Sequence, residues 1–391
     1  MPPKQRVVVG MSGGVDSSVA AALLLREGFD VIGITLKMWP QDCASLIEDK
    51  CCGPQAMEDA RTVAARLGIP HYVVDETQDF QKEVINYFAG EYQAGRTPNP
   101  CVMCNEKLKF GNLLVRARAL GADFVATGHY ARVEQSEGGY ILRRSLNLRK
   151  DQSYFLFSLS QDQLAHIKMP IGGMTKEETR AVAREAGLKI HDKEESQDIC
   201  FVPENDYAAF LKSHLGETEF HPGEIVHRDG RVLGRHEGIE LFTIGQRKGI
   251  NVGSPVPLYV LGIDAAQRRV IVGDDDALWH DEFAVDRCSW GIHGVPKEGT
   301  RVVAKIRSSH EGAAATLHPR EDGSVQVKLD EPQRAITPGQ ACVFYAEDVV
   351  RGGGWIGSKG QTRNAERETR LAVATERFGV VGNSTLGVGT S

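Results

Sequence analysis

Val7-Val8-Val9-Gly10-Met11-Ser12-Gly13-Gly14-Val15-Asp16-Ser17-Ser18 sets the architecture of this chain. A β-branched apolar run ends in glycine, a glycine pair follows, and a helical pattern occupies residues 19–26. This reads as a buried strand, a tight loop and a helix start. Lacking a Cβ, Gly13 and Gly14 allow a sharp turn and close approach to a ligand. The N–H groups of such a turn and the positive end of the helix form an anion cradle. Ser12, Ser17 and Ser18 add hydroxyl donors. A Walker loop would carry a lysine just after its last glycine, but Val15 and Asp16 stand here. A cradle without that lysine suits a leaving pyrophosphate.

Outward from this loop, one pattern recurs. A helix closes on a glycine and a strand follows: Gly28 before Val31–Ile34, Gly68 before Tyr72–Val74, Gly121 before Phe124–Ala126. Glycine just past a helix takes the left-handed conformation cheaply. Apolar strands alternating with helices predict an α/β unit, a parallel sheet with helices on both faces, over residues 1–205. Ligands of such sheets bind at the carboxyl ends of the strands. Four loops are therefore expected to converge: the glycine loop, Leu36–Trp39, the segment after Val74, and Thr127-Gly128-His129. Further helices are expected at 54–67 and 79–94. Another spans 175–186, opened by the capping box Thr175/Glu178 and stopped by Gly187. After residue 205 short strands with turn signals take over. They suggest a small, mostly β central domain (206–282), a β-barrel (283–360) and a loosely held tail (361–391).

Bulk properties bound the function. The 391 residues are 41% hydrophobic and 25% charged, as in a soluble globular protein. With 46 basic and 52 acidic residues the net charge is −6, which argues against a uniformly basic coat but not against a local basic groove. No apolar window suits a signal peptide or a membrane span, so the cytoplasm is expected, with no membrane partner and no DNA. Eight cysteines in a reducing compartment suggest chemistry or metal rather than a disulfide framework.

The cysteines differ in setting. Cys43, Cys51 and Cys52 lie in a loop-like stretch whose spacing fits no metal signature. Cys101 and Cys104 follow Thr97-Pro98-Asn99-Pro100, where two prolines hold the entry extended. A helix expected over 106–120 puts Cys104 just before a helix N-terminus, with Lys107 and Lys109 nearby. Both features favour a thiolate and make Cys104 a candidate nucleophile or metal ligand. Cys200 closes a polar loop and opens an apolar run, and is a candidate second half of a sulfur site. Cys288 and Cys342 fall inside strand patterns and read as core. Residues 141–150 carry four positive charges and no negative one, and lead into Tyr154-Phe155. A basic strip beside aromatics suits a nucleic-acid backbone and a stacking surface.

Seven motifs occur in order: Ser-Gly-Gly-Val-Asp-Ser, Thr97-Pro-Asn-Pro through Cys104-Asn105, Thr127-Gly-His-Tyr130, Lys150-Asp-Gln-Ser-Tyr-Phe155, Asp198-Ile-Cys-Phe201, Gly245-Gln-Arg-Lys-Gly249 and Thr337-Pro-Gly-Gln340. The glycine loop resembles that of the N-type ATP-pyrophosphatases. The ordered set, covering residues 6 to about 356, resembles the bacterial tRNA-specific 2-thiouridylases. The resemblance implies a transferase of tRNA processing that thiolates the C2 position of the wobble uridine. By it, ATP is held by Gly10, Met11, Ser12, Gly13, Gly14, Val15, Asp16 and Ser17, with Leu36 and Gly128 completing the pocket. Cys104 is implied as nucleophile and Cys200 as persulfide carrier. tRNA contacts are implied at His129, Lys150, Asp151, Gln152, Arg307, Ser308 and Gln340. A protein sulfur donor, a cysteine desulfurase or relay, is the further partner implied.

The chemistry fits these residues. The C2 oxygen of uracil leaves poorly until AMP is attached to it, and Mg²⁺ with the glycine cradle would hold the phosphate charge. Better-known members carry an aspartate three positions before the nucleophile, where this chain has Cys101. A thiol cannot hold a base edge as a carboxylate does. Cys101, Cys104 and Cys200 instead make a three-thiolate set able to hold a [4Fe-4S] cluster with one open iron, an alternative to the persulfide. The rivals are an amide-forming ATP-pyrophosphatase, which needs no cysteine pair, and a non-catalytic tRNA-binding protein switched by ATP, which would tolerate serine at 104 and 200.

Overall fold

The valines of the opening run sort the first unit into two layers. In the computed structural model, which describes residues 4–39, 53–192 and 199–357, they form strand β1 (Arg6–Gly10). Helix α1 (Val15–Arg26), β2 (Asp30–Lys37), α2 (Pro54–Leu67) and β3 (His71–Asp75) follow. Then come long helices α3 (77–93) and α4 (100–119), β4 (Phe124–Ala126), a hairpin of β5 (Ala131–Ser136) and β6 (Gly139–Arg144), β7 (Ile167–Lys168) and helix α5 (Lys176–Glu185). The sheet order is β3-β2-β1-β4-β7, every pairing parallel. Side chains alternate along a strand. Val7 and Val9 thus pack with Val19 and Leu24 of α1 and Val63 of α2. Val8 packs on the other face with Phe80 and Phe88 of α3 and Leu108 and Leu113 of α4. Because β1 has β2 on one side and β4 on the other, a crevice opens at its carboxyl end, at Gly10.

The helix expected over 106–120 starts earlier. Proline needs no N–H partner at the first helical position, so Pro100 opens α4 directly after Asn99. Residues 104–112 are wound as a π-helix, with hydrogen bonds to the fifth residue along. Cys104 is therefore inside the helix, and Cys101 takes its first turn. The expected capping box of α5 is present: Thr175 Oγ1 accepts from Glu178 N, and the Glu178 side chain accepts from Thr175 N.

Beyond residue 205 a helix, α6 (Tyr207–Leu215), precedes the strands that the sequence pattern predicts. Its Leu211 packs into the cluster beneath α3, which ties it to the first unit. Strands β8 (Gly223–His227), β9 (Val232–His236), β10 (Tyr259–Asp264) and β11 (Arg269–Gly273) form a sheet ordered β10-β11-β8-β9. Strands β12 (Trp279–Ser289), β13 (Thr300–Lys305), β14 (Ala313–Pro319), β15 (Val325–Arg334), β16 (Ala341–Ala346) and β17 (Val349–Ile356) close into a six-stranded barrel through the β12–β17 pairing. Closure removes the open edges of the sheet. Cys342 lies in the barrel core and burial pushes the Cys288 thiol up to about 12, so both are packing residues, as expected.

The hairpin β5–β6 leaves the first unit and pairs with barrel strand β17 at Arg143 and Val349. The expected basic strip is thus partly neutralised. Arg143 binds Glu134 (2.7 Å) and Asp348 (2.6 Å), and Arg144 binds Asp151 (3.0 Å). Cys43, Cys51, Cys52 and the expected tail lie outside the described residues.

Candidate active site

The glycine loop is fastened to β2 from both sides: Met11 N donates to Ile34 O (2.8 Å) and Thr35 Oγ1 donates to Met11 O (2.7 Å). Gly13 stands at φ +68°, and a Cβ there would fall 2.1 Å from Ala56 O of α2. Only glycine fits. No side chain caps α1 at Gly14, which leaves first-turn N–H groups for an anionic ligand. Ser17 Oγ accepts from Ser12 N (3.2 Å) and holds the loop closed. At the end of β4 the chain lies directly on this turn: a Cβ on Gly128 would come within 2.5 Å of Ser17 N.

A cavity of about 450 Å³ opens here. One part of its lining is the glycine loop with Leu36, Met38 and Thr127-Gly128-His129; another is Cys101, Cys104 and Lys109 of α4 with Ile199, Cys200 and Phe201. All four loops expected to converge reach the cavity, the segment after Val74 through Phe80 and Val84 of α3. At the start of that segment Glu76 holds Arg116 (2.9 Å) and Asn112 (2.7 Å).

Cys101, Cys104 and Cys200 border the same cavity as the nucleotide loop, although they come from two distant segments. Cys104 is 8% exposed. Since α4 begins at Pro100, the helix N-terminus favours Cys101 over Cys104. π-winding brings residues five apart onto one face, and Cys104 and Lys109 both line the cavity. Lys107 is committed to Glu106 (2.6 Å). Among the described residues, no group of three or more His, Cys, Asp or Glu side chains is arranged to hold a metal ion.

Asp16 Oδ1 accepts from Lys176 Nζ (2.7 Å) and from the Tyr130 hydroxyl (3.0 Å). Both bonds fall on one oxygen, so Oδ2 retains the lone pairs that a hard cation such as Mg²⁺ requires. His129 is buried beside the same turn, with Nδ1 2.8 Å from Thr127 Oγ1. Burial, and next the charge of Lys109, push its pKa down to about 3, so the ring is neutral.

The residues expected to touch tRNA divide. Lys150 is half-buried and Ser308 exposed. The Asp151 side chain is 1% exposed and accepts from Arg144 Nε (3.0 Å), Ser145 N (3.0 Å) and Ser153 Oγ (3.0 Å). Gln152 lines the cavity, and its Oε1 accepts from Tyr130 N (2.8 Å). Arg307 donates to Arg334 O (3.2 Å). Gln340 donates to Pro98 O (2.9 Å) and Thr97 O (3.3 Å), tying the barrel to the segment that leads to Cys101. Sequence reasoning missed Lys176 altogether. Its one signal was a place in the capping box, which spoke of a helix start and not of a site.

Three family descriptions match in succession: "tRNA methyl transferase HUP domain" over residues 5–204, "tRNA methyl transferase PRC-barrel domain" over 208–274, and "Aminomethyltransferase beta-barrel domain" over 280–356. A protein of Heliobacterium modesticaldum named tRNA-specific 2-thiouridylase MnmA is 49% identical over 357 residues, 90% of this chain and 92% of its own. One of the same name from Geotalea uraniireducens is 48% identical over 367 residues, 93% of this chain and 97% of its own. A third, from Magnetococcus marinus, is 47% identical across 91% of this chain and all of its own length. Among solved structures, a 4-thiouridine synthetase in complex with RNA and ATP aligns at TM-score 0.34 and 19% identity, over 55% of this chain and 51% of that one.

Proposed function

The chain belongs to the tRNA-specific 2-thiouridylase family, and on that premise we propose that it is an ATP-dependent tRNA uridine 2-sulfurtransferase acting on the wobble uridine. The observation that carries the reading is a single cavity shared by a nucleotide loop and two distant cysteines. Methyl transfer, which two of the family descriptions name, has no need of thiols beside a nucleotide loop; thiolation needs both.

The reaction follows from the residues. ATP sits on Gly10–Ser17, with Leu36 and Gly128 closing the pocket. Mg²⁺, held through Asp16 Oδ2, would shield the triphosphate. The wobble base is splayed from its stack into the cavity. Its C2 oxygen attacks the α-phosphorus, the bond to the β-phosphate breaks, and pyrophosphate leaves with the electron pair. A persulfide on Cys200 then attacks C2 through its terminal sulfur. Cys104, as thiolate, attacks the Cys200 sulfur. The persulfide S–S bond breaks, its electrons stay with the sulfur on C2, and AMP departs with its oxygen. Cys104 and Cys200 end as a disulfide, which an external thiol reduces before a donor protein reloads Cys200. Cys101 occupies the position of the family's aspartate. As a third thiol in the cavity it supplies no carboxylate, so binding of the base edge falls to other groups lining the cavity, the neutral His129 among them.

His129, Lys150 and the loop holding Arg307 and Ser308 are the proposed tRNA contacts. Asp151, Gln152 and Gln340 are proposed to serve RNA binding by shaping the surface, since each bonds to the protein's own backbone. The proposed units remain 1–205, 206–282 and 283–360. The test is nucleoside mass spectrometry of tRNA from cells depending on Cys104→Ser or Cys200→Ser. Each variant is expected to lose 2-thiouridine; retention in both would contradict sulfur transfer.

A further inference from the structure

Asn105 follows Cys104 in the π-wound part of α4 and lines the cavity. It is 3% exposed. Its Nδ2 donates to Phe155 O (3.3 Å). Turning the amide over would set one carbonyl oxygen against another, so this bond fixes which end is the acceptor. That end, Oδ1, is buried and has no hydrogen-bond partner. A buried acceptor left unpaired is costly, and the cost is recovered when a ligand supplies the donor. Among the described residues, Asn105 is the one residue lining this cavity whose side chain holds such an orphaned atom. An acceptor calls for an N–H or O–H and repels a phosphate oxygen. Its place beside the attacking thiol assigns that donor to the pyrimidine.

We propose that Asn105 selects uridine at this site, its Oδ1 accepting the N3–H of the target base. The inference rests on the thiolation reading above. Uracil carries a hydrogen on N3, whereas cytosine carries a lone pair there, which would face the lone pairs of Oδ1. N3 is bonded to C2, so the acceptor acts one bond from the reacting carbon. The last torsion of asparagine is broad and the bond to Phe155 O is long, so a partial turn brings Oδ1 onto the base edge. As the C2 oxygen bonds to the α-phosphorus and pyrophosphate leaves, the ring gains positive charge and the N3–H bond to Oδ1 strengthens. Addition of sulfur and departure of AMP return the ring to neutrality. The N3 proton of uridine stays on N3 in 2-thiouridine. A neutral amide holds that proton without removing it, which suits a chain with Cys101 at the position of the family's aspartate.

The test compares wild type, Asn105→Leu and Asn105→Asp as full-length proteins charged with persulfide, in single turnovers with ATP and Mg²⁺. Two tRNA transcripts differ only in uridine or cytidine at the wobble position, and nucleoside mass spectrometry reads 2-thiouridine and 2-thiocytidine. Wild type is expected to prefer uridine. In Asn105→Leu that preference is expected to shrink about 10- to 100-fold, with ATP affinity unchanged. Asn105→Asp loses the bond to Phe155 O but keeps an acceptor, and is expected to hold the preference within about tenfold of wild type. An unchanged preference in Asn105→Leu overturns the inference, and so does an equal loss on both transcripts, the signature of an amide that only braces Phe155. Wild type that thiolates both transcripts equally overturns it whether or not a variant folds. Wild type that makes no 2-thiouridine would strike the thiolation reading instead. Affinities of the two transcripts then decide the role of Asn105: tighter binding of the uridine transcript by wild type, lost in Asn105→Leu, supports it, and equal binding by wild type overturns it.

Discussion

The two walls of the cavity are made in different ways. The nucleotide wall is backbone: a turn fixed by Gly13 at φ +68°, a helix start with no side-chain cap, and Gly128 laid against Ser17 N. The thiol wall and the barrel seam are side chains from distant segments, joined by bonds such as Gln340 to Pro98 O. A backbone site tolerates no new atoms. A side-chain site tolerates loss of one bond but depends on tertiary packing to exist.

Four measurements sharpen or break this contrast. The largest effect is expected from the thiols. Cys104→Ser is expected to remove at least about 1000-fold of thiolation, since an alcohol is not a nucleophile toward persulfide. Pyrophosphate exchange should survive within a few-fold, because the other wall is untouched. Parallel loss of both activities would deny that the walls work separately. Gly128→Ala comes next. Its methyl would overlap Ser17 N at 2.5 Å, where backbone cannot yield. ATP affinity is expected to fall about 100-fold and stability by about 1–3 kcal/mol, readable by nucleotide titration and thermal melting.

Gln340→Ala tests the seam. Losing two part-buried hydrogen bonds to backbone carbonyls is expected to cost about 1–2 kcal/mol of stability, with a several-fold higher KM for tRNA. A raised KM with an unchanged melting point would make Gln340 a direct RNA contact. The smallest effect at neutral pH concerns His129. Burial depresses its pKa to about 3 from the usual 6.5, so the unfolded chain binds the extra proton first. Its contribution to stability is complete above pH 6.5 and is lost as pH falls toward about 3. His129→Gln is expected to flatten the stability profile between pH 6 and 4. An identical profile would mean that the ring titrates normally.

The same contrast explains what could be read in advance. The glycine loop, the sheet with its helices, the α2 limits and the strands of both β units are local patterns. Their physics lies within a few residues, as in Val7 and Val9 facing one layer and Val8 the other. The start of α4 was misplaced because Pro100 was read as holding an extended entry, whereas proline also fits a helix's first position. The basic strip looked open because Asp348, which takes Arg143, lies over 200 positions later. Asp151, Gln152 and Gln340 matched a family pattern, but no local rule reveals that their partners are the chain's own backbone. Lys176 was invisible for the same reason, its partner Asp16 being remote in sequence. Family motifs located the thiols; only packing brings Cys200 into the cavity of Cys104.

The central claim is that activation and sulfuration meet in one cavity through Cys104 and Cys200. Its most direct test is a single turnover of enzyme charged with persulfide on Cys200, with ATP, Mg²⁺ and unmodified tRNA and without reductant. Non-reducing peptide mass spectrometry would be read alongside nucleoside analysis. The account predicts one Cys104–Cys200 cross-linked peptide pair for each 2-thiouridine formed. Formation of 2-thiouridine with residues 104 and 200 never joined would contradict it.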